Sequence, residues 1–313
     1  MKKILLAVFL TALFAGSACA AEGVIAWAAG GGTDTLMRPL INHIGNITPM
    51  IKTGLAGAIA SSYVYEKTSD GETLLMNAEN PTLYKFLGYG NIDYDDFECV
   101  LLIATEVVGV IVPSNSKYNS FKEIVEDVKA GREVVEATTN VGGMPWTLTA
   151  MLGKITGVNF VQQWYAGDKD AMEAVMNGKA DFTFCKLQMG RELFEQGRLK
   201  YISLISKEKL EGWDVQLITD EYPEFAEYLP WGPFYGVFVK KDAPAEKIAE
   251  WKKLFAEAYA TEAYQKLLSD SRMTKLGLNG AAALDYIHGW QSRTLSVLSK
   301  ADLNMKFRFH SPE

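Results

Sequence analysis

Apolar positions along this chain fall into two rhythms. Runs of about four to eight apolar residues bounded by Gly, Pro, Asn or Asp read as buried strands, and apolar residues three and four apart read as amphipathic helices. Strands are expected at residues 24–29, 73–76, 99–104, 107–112, 133–138, 158–165, 181–185, 201–205 and 234–239. Helices are expected at 40–47, 59–67, 81–87, 121–130, 146–153, 171–177, 245–268 and 281–298. Ser120 is placed as an N-cap and Gly131 and Gly178 as stops. Asp70-Gly71 signals a turn, and residues 206–233 read as a loop. Strand and helix alternate throughout, as in α/β proteins.

The candidate chemistry gathers at the first strand-to-helix junction. The run V-I-A-W-A-A ends at Gly30, Gly31 and Gly32, and Thr33 and Asp34 open a helical segment. Pro39 inside that segment would cost a hydrogen bond unless the helix begins late. Glycines let the main chain approach a ligand, and first-turn N–H groups with the helix dipole favour negative charge. Taken alone, the pattern also fits an ordinary turn. A dinucleotide fingerprint needs G-x-G-x-x-G, whereas these glycines are contiguous, and no Lys-Ser/Thr pair makes a P-loop. A small anionic group therefore fits better than a nucleotide. A second Gly-rich junction, Thr139-Asn140-Val141-Gly142-Gly143-Met144-Pro145, leads into the helix at 146–153, so two helix N-termini can be aimed from two halves.

The first twenty residues set the compartment. Lys2 and Lys3 precede an apolar run over 4–16, and Ala18-Cys19-Ala20 supplies small residues for cleavage after Ala20. That is the layout of a secretory signal peptide, and the run is shorter than the ~20 residues a membrane span needs. Gly16 stands where a lipobox prefers Leu, which disfavours lipidation at Cys19. Without Lys2 and Lys3, 29 basic and 38 acidic residues remain, a formal charge of −9. No basic patch with interleaved aromatics appears, so nucleic acid is not an expected partner. Anion binding would then rely on local backbone dipoles or a buried Arg. The length suits two lobes. Cys99 and Cys185 could pair, but their apolar surroundings favour two buried free thiols. His43, His288 and His310 are scattered, which leaves a zinc site or a Ser-His-Asp triad without support, and no cofactor is expected.

Four stretches occur together and in order: W-A-A-G-G-G-T-D at 27–34, G-L-A-G-A-I-A at 54–60, D-G-E-T-L-L at 70–75, and Y-A-G followed by A-M-E-A-V-M-N-G-K-A-D within 165–181. In this set the chain resembles the solute-binding receptors of tripartite tricarboxylate transporters, the TctC or Bug family, over nearly its whole length after the signal peptide. The resemblance implies a two-lobed α/β fold of the periplasmic binding protein-like type II class with two crossover hinge strands. It places them at the strand ending at Pro113 and the strand starting at Phe234. Lobe one would be 21–113 with 234–313, and lobe two 114–233. A periplasmic, monomeric receptor without enzymatic activity is implied, delivering its ligand to the transporter's membrane subunits. The implied ligand is a small carboxylate: a di- or tricarboxylate or acidic amino acid first, an aromatic carboxylate next.

By the same resemblance, two loops should grip the carboxylate through backbone N–H groups. They are Trp27 to Asp34, with Ala28, Gly31 and Thr33 as donors, and Thr139 to Met144, with Asn140, Gly142 and Gly143. Tyr165, Ala166 and Gly167 would face them. Asp34 is expected to orient its own loop and pair with Arg38 four positions on. Asn80 is either a pocket residue or a plain helix cap. Ala26, Leu55, Ala56 and Trp146 depart from the family pattern. Trp27, Trp146, Trp164 and Trp231 either make the cleft more apolar or fill the lobe cores. A receptor that presents its ligand to a sensor kinase would have the same fold and pocket. An enzyme would need a nucleophile and base, or metal ligands, and neither set is evident.

Overall fold

The computed structural model describes residues 20–301 and 306–308. The expected signal peptide, with Cys19, lies outside them. The first strand, β1 (Ala21–Ile25), begins directly after the expected cleavage position.

One six-stranded sheet has the spatial order β11 (Thr274–Leu278), β4 (Phe97–Thr105), β10 (Phe234–Lys240), β3 (Thr73–Ala78), β1 and β2 (Ile47–Ile51). β1 pairs in parallel with β2 and β3, whereas β10 runs antiparallel to both β3 and β4. Parallel neighbours need crossovers, and α1 (Gly32–Ile44) and α2 (Ala58–Glu66) supply them. A second body holds two three-stranded sheets. One has β5 (Val108–Pro113) between β8 (Thr183–Lys186) and β9 (Leu199–Ile205); the other has β7 (Val161–Trp164) between β6 (Val135–Thr138) and β12 (Lys306–Arg308). The bridge between Glu136 and Phe182 ties these two sheets together.

The remaining helices are α3 (Tyr84–Leu87), α4 (Phe121–Lys129), α5 (Met144–Thr156), α6 (Asp168–Met176), α7 (Leu187–Glu195), α8 (Ile218–Glu221), α9 (Ala245–Tyr259), α10 (Glu262–Asp270) and α11 (Gly280–Leu298). Leu36, Met37, Leu40 and Ile41 of α1 pack with Leu74, Met76, Trp251 and Phe255 to form the core of the first lobe. Ile111, Ala171, Val175 and Leu204 anchor the second. A third cluster, including Leu75, Phe238, Val110, Phe121, Trp146 and Trp290, runs through both, and α11 packs on β4 and α5 alike.

Several boundaries differ from the sequence reading. The chain changes sheet between Thr105 and Val108, because β5 pairs with β8 and β9; the strand ending at Pro113 thus belongs to the second lobe. β12 pairs with β7, so residues 306–308 also join the second lobe's sheet. α1 begins at Gly32 and carries Pro39 within it. A mid-helix proline costs about 3 kcal/mol. Four buried apolar side chains at roughly 1.5–3 kcal/mol each outweigh it, and the ring itself faces solvent. The expected helix over 245–268 is two helices, broken where Thr261 caps α10 by accepting from the Tyr264 N–H. The region 206–233 contains α8 and a 3-10 turn at Pro223–Tyr228. Ser120 caps α4 as expected, accepting from the Glu123 N–H at 3.1 Å. Cys99 and Cys185 are buried free thiols.

Candidate functional site

The two Gly-rich loops adopt one geometry twice. Gly31 precedes α1 with φ −73° and ψ 171°, and Gly143 precedes α5 with φ −73° and ψ 166°. The Gly31 N–H donates to the Ala28 carbonyl at 3.1 Å, and the Gly143 N–H donates to the Asn140 carbonyl at 2.9 Å. The preceding residues, Gly30 and Gly142, have φ of +74° and +80°, a conformation that favours glycine. Neither N-cap has a side chain to satisfy its helix, so first-turn N–H groups stay open to an anion. Pro145 supplies no N–H to the second loop.

Asp34 stabilises the first loop from within. Its carboxylate accepts from the Gly30 N–H at 2.8 Å and from Arg38 Nε at 2.7 Å. Burial alone would raise this carboxyl, but the Arg38 guanidinium and the Gly30 N–H together hold it below the usual carboxylate range. Trp27 Nε1 donates to Asn77 Oδ1 at 3.0 Å, which fixes the indole at the end of β1.

Both loops open into one cavity of about 300 Å³ between the lobes, the lower end for small-molecule sites. Of the residues singled out in the sequence, Trp27, Ala28, Gly31, Thr33, Asn80, Thr139, Asn140, Gly143, Met144, Ala166 and Gly167 line it. Asp34, Gly142 and Tyr165 do not. Asp34 is engaged by its own loop. The Gly142 carbonyl accepts from Asn80 Nδ2 at 2.6 Å, and a Cβ on Gly142 would come within 2.4 Å of Leu87 Cδ1. Tyr165 packs against the second lobe's core. Trp146 and Trp231 are core residues, the latter stacked on Trp290, and Trp164 is not among the lining residues. Of the four tryptophans, only Trp27 faces the cavity.

Sequence reasoning missed the charged part of this cavity. Glu79, Asp168, Lys169, Lys186, Met189 and Tyr235 also line it. Lys186 Nζ meets Asp168 Oδ2 at 2.9 Å. Burial would lower the Lys186 ammonium, but Asp168, Glu106 and Glu79 raise it, so it stays charged. Glu106 lies behind the wall, buried, and accepts from the Tyr235 hydroxyl. Glu79, Glu106 and Lys186 stand at or just past the C-terminal ends of β3, β4 and β8, where α/β sheets place their ligands, and Asp168 opens α6. That rule was the available signal.

A two-lobed α/β scaffold with a cavity between its lobes is the architecture of the periplasmic binding protein fold. Residues 46–303 match the family described as "Tripartite tricarboxylate transporter family receptor", and the chain belongs to that family of receptors. It is similar to the UPF0065 protein in the tcbD-tcbE intergenic region of a Pseudomonas species, 26% identical over 230 residues. That match spans 69% of this chain and 66% of the relative's length. Among solved structures, a Rhodopseudomonas palustris protein solved with adipate superposes with a TM-score of 0.78 at 19% identity, covering 89% of this chain and 97% of the other. MatC from Rhodopseudomonas palustris, solved with bound malate, gives 0.72 at 19% identity over 90% and 96%. The periplasmic binding protein BugD gives 0.72 at 21% identity over 90% and 94%. These likenesses establish the fold.

Proposed function

We propose that this receptor works in the periplasm as a monomer, captures a small carboxylate in the interlobe cavity, and delivers it to the membrane subunits of a tripartite tricarboxylate transporter. The observation that carries the reading is the repeated loop. Gly31 and Gly143 present equivalent uncapped helix N-termini to one cavity, one from each lobe, and a carboxylate is the group that both can donate to at once. Two structural relatives were solved with dicarboxylates, adipate and malate, which supports the same ligand class. The cavity volume suits a ligand of a few carbons.

The test is mass spectrometry of ligand released from protein purified without refolding, joined to a thermal-shift screen. A carboxylate at a hundredfold excess over its dissociation constant raises apparent stability by about 2.7 kcal/mol. Stabilisation by sugars or metal cations, with no carboxylate responding, would overturn the reading.

A further inference from the structure

Helices α1, α3, α4, α5, α6 and α7 each run into a left-handed glycine: Gly45, Gly88, Gly131, Gly157, Gly178 and Gly197, with φ between +66° and +82°. Glycine is usual there because it has no Cβ to clash. α10 ends by the same geometry on Arg272, at φ +52°. The Arg272 N–H donates to the Ser269 carbonyl and the Met273 N–H to the Leu268 carbonyl, both at 3.0 Å, the paired bonds of a Schellman motif. Leu268 and Met273 are buried together in the first lobe's core, which seals the turn. Left-handed backbone is disfavoured for a residue with a Cβ. What the Arg272 side chain does must offset that cost.

The side chain crosses between the lobes. Arg272 Nη1 donates to the Glu211 carbonyl at 3.2 Å. Glu211 lies in the second lobe, in a stretch that packs on that lobe's core through Leu210 and Trp213. A matching bond runs the other way: Arg191 Nη1, on α7 of the second lobe, donates at 2.9 Å to the carbonyl of Asp270, the last residue of α10. Glu195 holds Arg191 Nε at 2.6 Å and so aims the guanidinium, and a helix C-terminus favours the cation. Trp213 stacks on Phe194 of α7 at 4.8 Å, so the second lobe's donor and acceptor belong to one packed unit, as Asp270 and Arg272 do in the first.

Both units are coupled to the cavity and to the bend. The Tyr264 hydroxyl of α10 donates to the Leu36 carbonyl of α1, the helix that Gly31 precedes, at 3.1 Å. α7 starts directly after Lys186 and carries Met189, and both of those residues line the cavity. Thr274, two residues after Arg272, pairs with Thr105 where the chain first crosses between lobes. Rotation about that crossing changes the separation of α7 and α10, so the two bonds fit one interlobe angle.

We propose that Arg272 and Arg191 form a reciprocal latch that holds the closed angle of the receptor. Neither lines the cavity; both are positioning residues that act on a ligand through the lobes. The inference rests on the receptor reading and requires no particular ligand class. Contacts made at one angle and broken at another shift the population toward the first, and they raise the affinity of any ligand gripped only there.

The experiment is small-angle scattering of the mature protein before ligand is added, comparing the unmodified chain with Arg272→Gly, Arg272→Ala and the double variant Arg191→Ala with Arg272→Ala. Thermal melts and calorimetric titration with malate and adipate accompany it. The radius of gyration should rise in all three variants, most in the double one. Either dicarboxylate that binds should bind about three- to fivefold more weakly to the single variants. Arg272→Gly should nonetheless melt about 2 °C above Arg272→Ala, because only glycine takes the left-handed position without strain. An arginine with a purely structural role would give the same order of melting but leave the radius of gyration and the affinity unchanged, and that result overturns the latch. If neither dicarboxylate binds the unmodified protein, the carboxylate reading of the loops loses its support while the scattering still decides the latch.

Discussion

The Asn80 side-chain amide donates to the Gly142 carbonyl at 2.6 Å, and this buried bond joins the two lobes beside the cavity. The Tyr89 hydroxyl makes a second such link, donating to the Val141 carbonyl at 3.2 Å. Both acceptors belong to the loop that presents Gly143, so closing the lobes and positioning the second donor loop are one event. A ligand gripped equally in open and closed states would shift nothing. These bonds, like any ligand contact made by both loops, exist only when the lobes meet.

Asn80→Ala should therefore weaken binding of every carboxylate the receptor takes. A net hydrogen bond of about 1 kcal/mol corresponds to roughly fivefold in affinity. Small-angle scattering should show a larger radius of gyration for the variant before ligand is added. Unchanged affinity for a plain carboxylate would mean the bond is incidental to closure.

Gly31→Asp and Gly143→Asp should each reduce carboxylate affinity at least a hundredfold, about 3 kcal/mol. A Cβ on Gly31 comes within 3.0 Å of the Ala28 carbonyl, and one on Gly143 within 2.9 Å of Thr139 Oγ1. Either loop must distort, and a negative charge is then placed where an anion has to approach. Calorimetric titration checks the pair; full affinity in either variant contradicts the backbone-donor site.

How much of this was legible in the sequence depends on whether the determining contact is local. The strands β4, β5 and β10 are nearly continuous apolar runs because both faces are covered, and they read plainly. The Ser120 cap and the glycines of both donor loops are also local punctuation. β2 did not read as a strand: it carries Pro49 and is half exposed, which an edge strand tolerates. α7 was obscured by Gly190, where a Cβ would come within 2.1 Å of the Tyr201 hydroxyl, so tertiary packing overrides helix propensity. The charged wall was legible only through the rule that ligands sit at the C-terminal ends of strands, because Glu79, Glu106 and Lys186 come from the ends of β3, β4 and β8 and meet only in the folded chain.

Asp34→Ala should cost more than Arg38→Ala. The first removes the buried carboxylate that accepts from the Gly30 N–H and from Arg38, a loss of about 1–2 kcal/mol. The second removes only an exposed partner, so affinity should stay within twofold and the melting temperature fall slightly. The Asp34 carboxyl is held below its unfolded value, so its contribution is present above about pH 4 and disappears as the pH falls through the folded pKa. Urea melts at pH 7 and pH 3 should show the Asp34→Ala penalty shrinking in acid.

Stability should also fall as the pH rises from 5 to 8. Glu136 is buried in the second lobe, where it accepts from Thr149 Oγ1 at 2.5 Å and Gln162 Nε2 at 3.0 Å. Burial pushes its carboxyl up to about 8. With the folded pKa above the unfolded one, its contribution is complete below about pH 4.5 and is lost as the pH rises toward 8. While the folded state holds this proton and the unfolded state does not, the slope is about 1.4 kcal/mol per pH unit. Glu136→Gln should flatten the profile and stabilise the protein at pH 8. A profile identical to that of the unmodified protein would show that Glu136 is not the group responsible.

The two crossings between lobes lie against each other, and their contact predicts where the molecule bends. The Glu106 N–H donates to the Pro233 carbonyl at 3.0 Å, and Thr105 Oγ1 donates to the same oxygen at 3.1 Å. Gly232 is so close to the first crossing that a Cβ there would come within 2.0 Å of the Glu106 carbonyl oxygen. Its backbone is not in the left-handed region, so alanine brings no torsional penalty, only the clash. The two segments would have to separate, stretching the bonds to Pro233 and moving Tyr235, whose hydroxyl holds Glu106 and lies 2.9 Å from where a Gly32 Cβ would stand. Gly232→Ala should thus lose about 1–3 kcal/mol of stability, the usual cost of overpacking, and also lose ligand affinity, though residue 232 does not line the cavity. Scattering with saturating ligand should show incomplete closure. If Gly232→Ala closes fully and binds with unchanged affinity, the bend lies elsewhere than in residues 105–108 and 231–234.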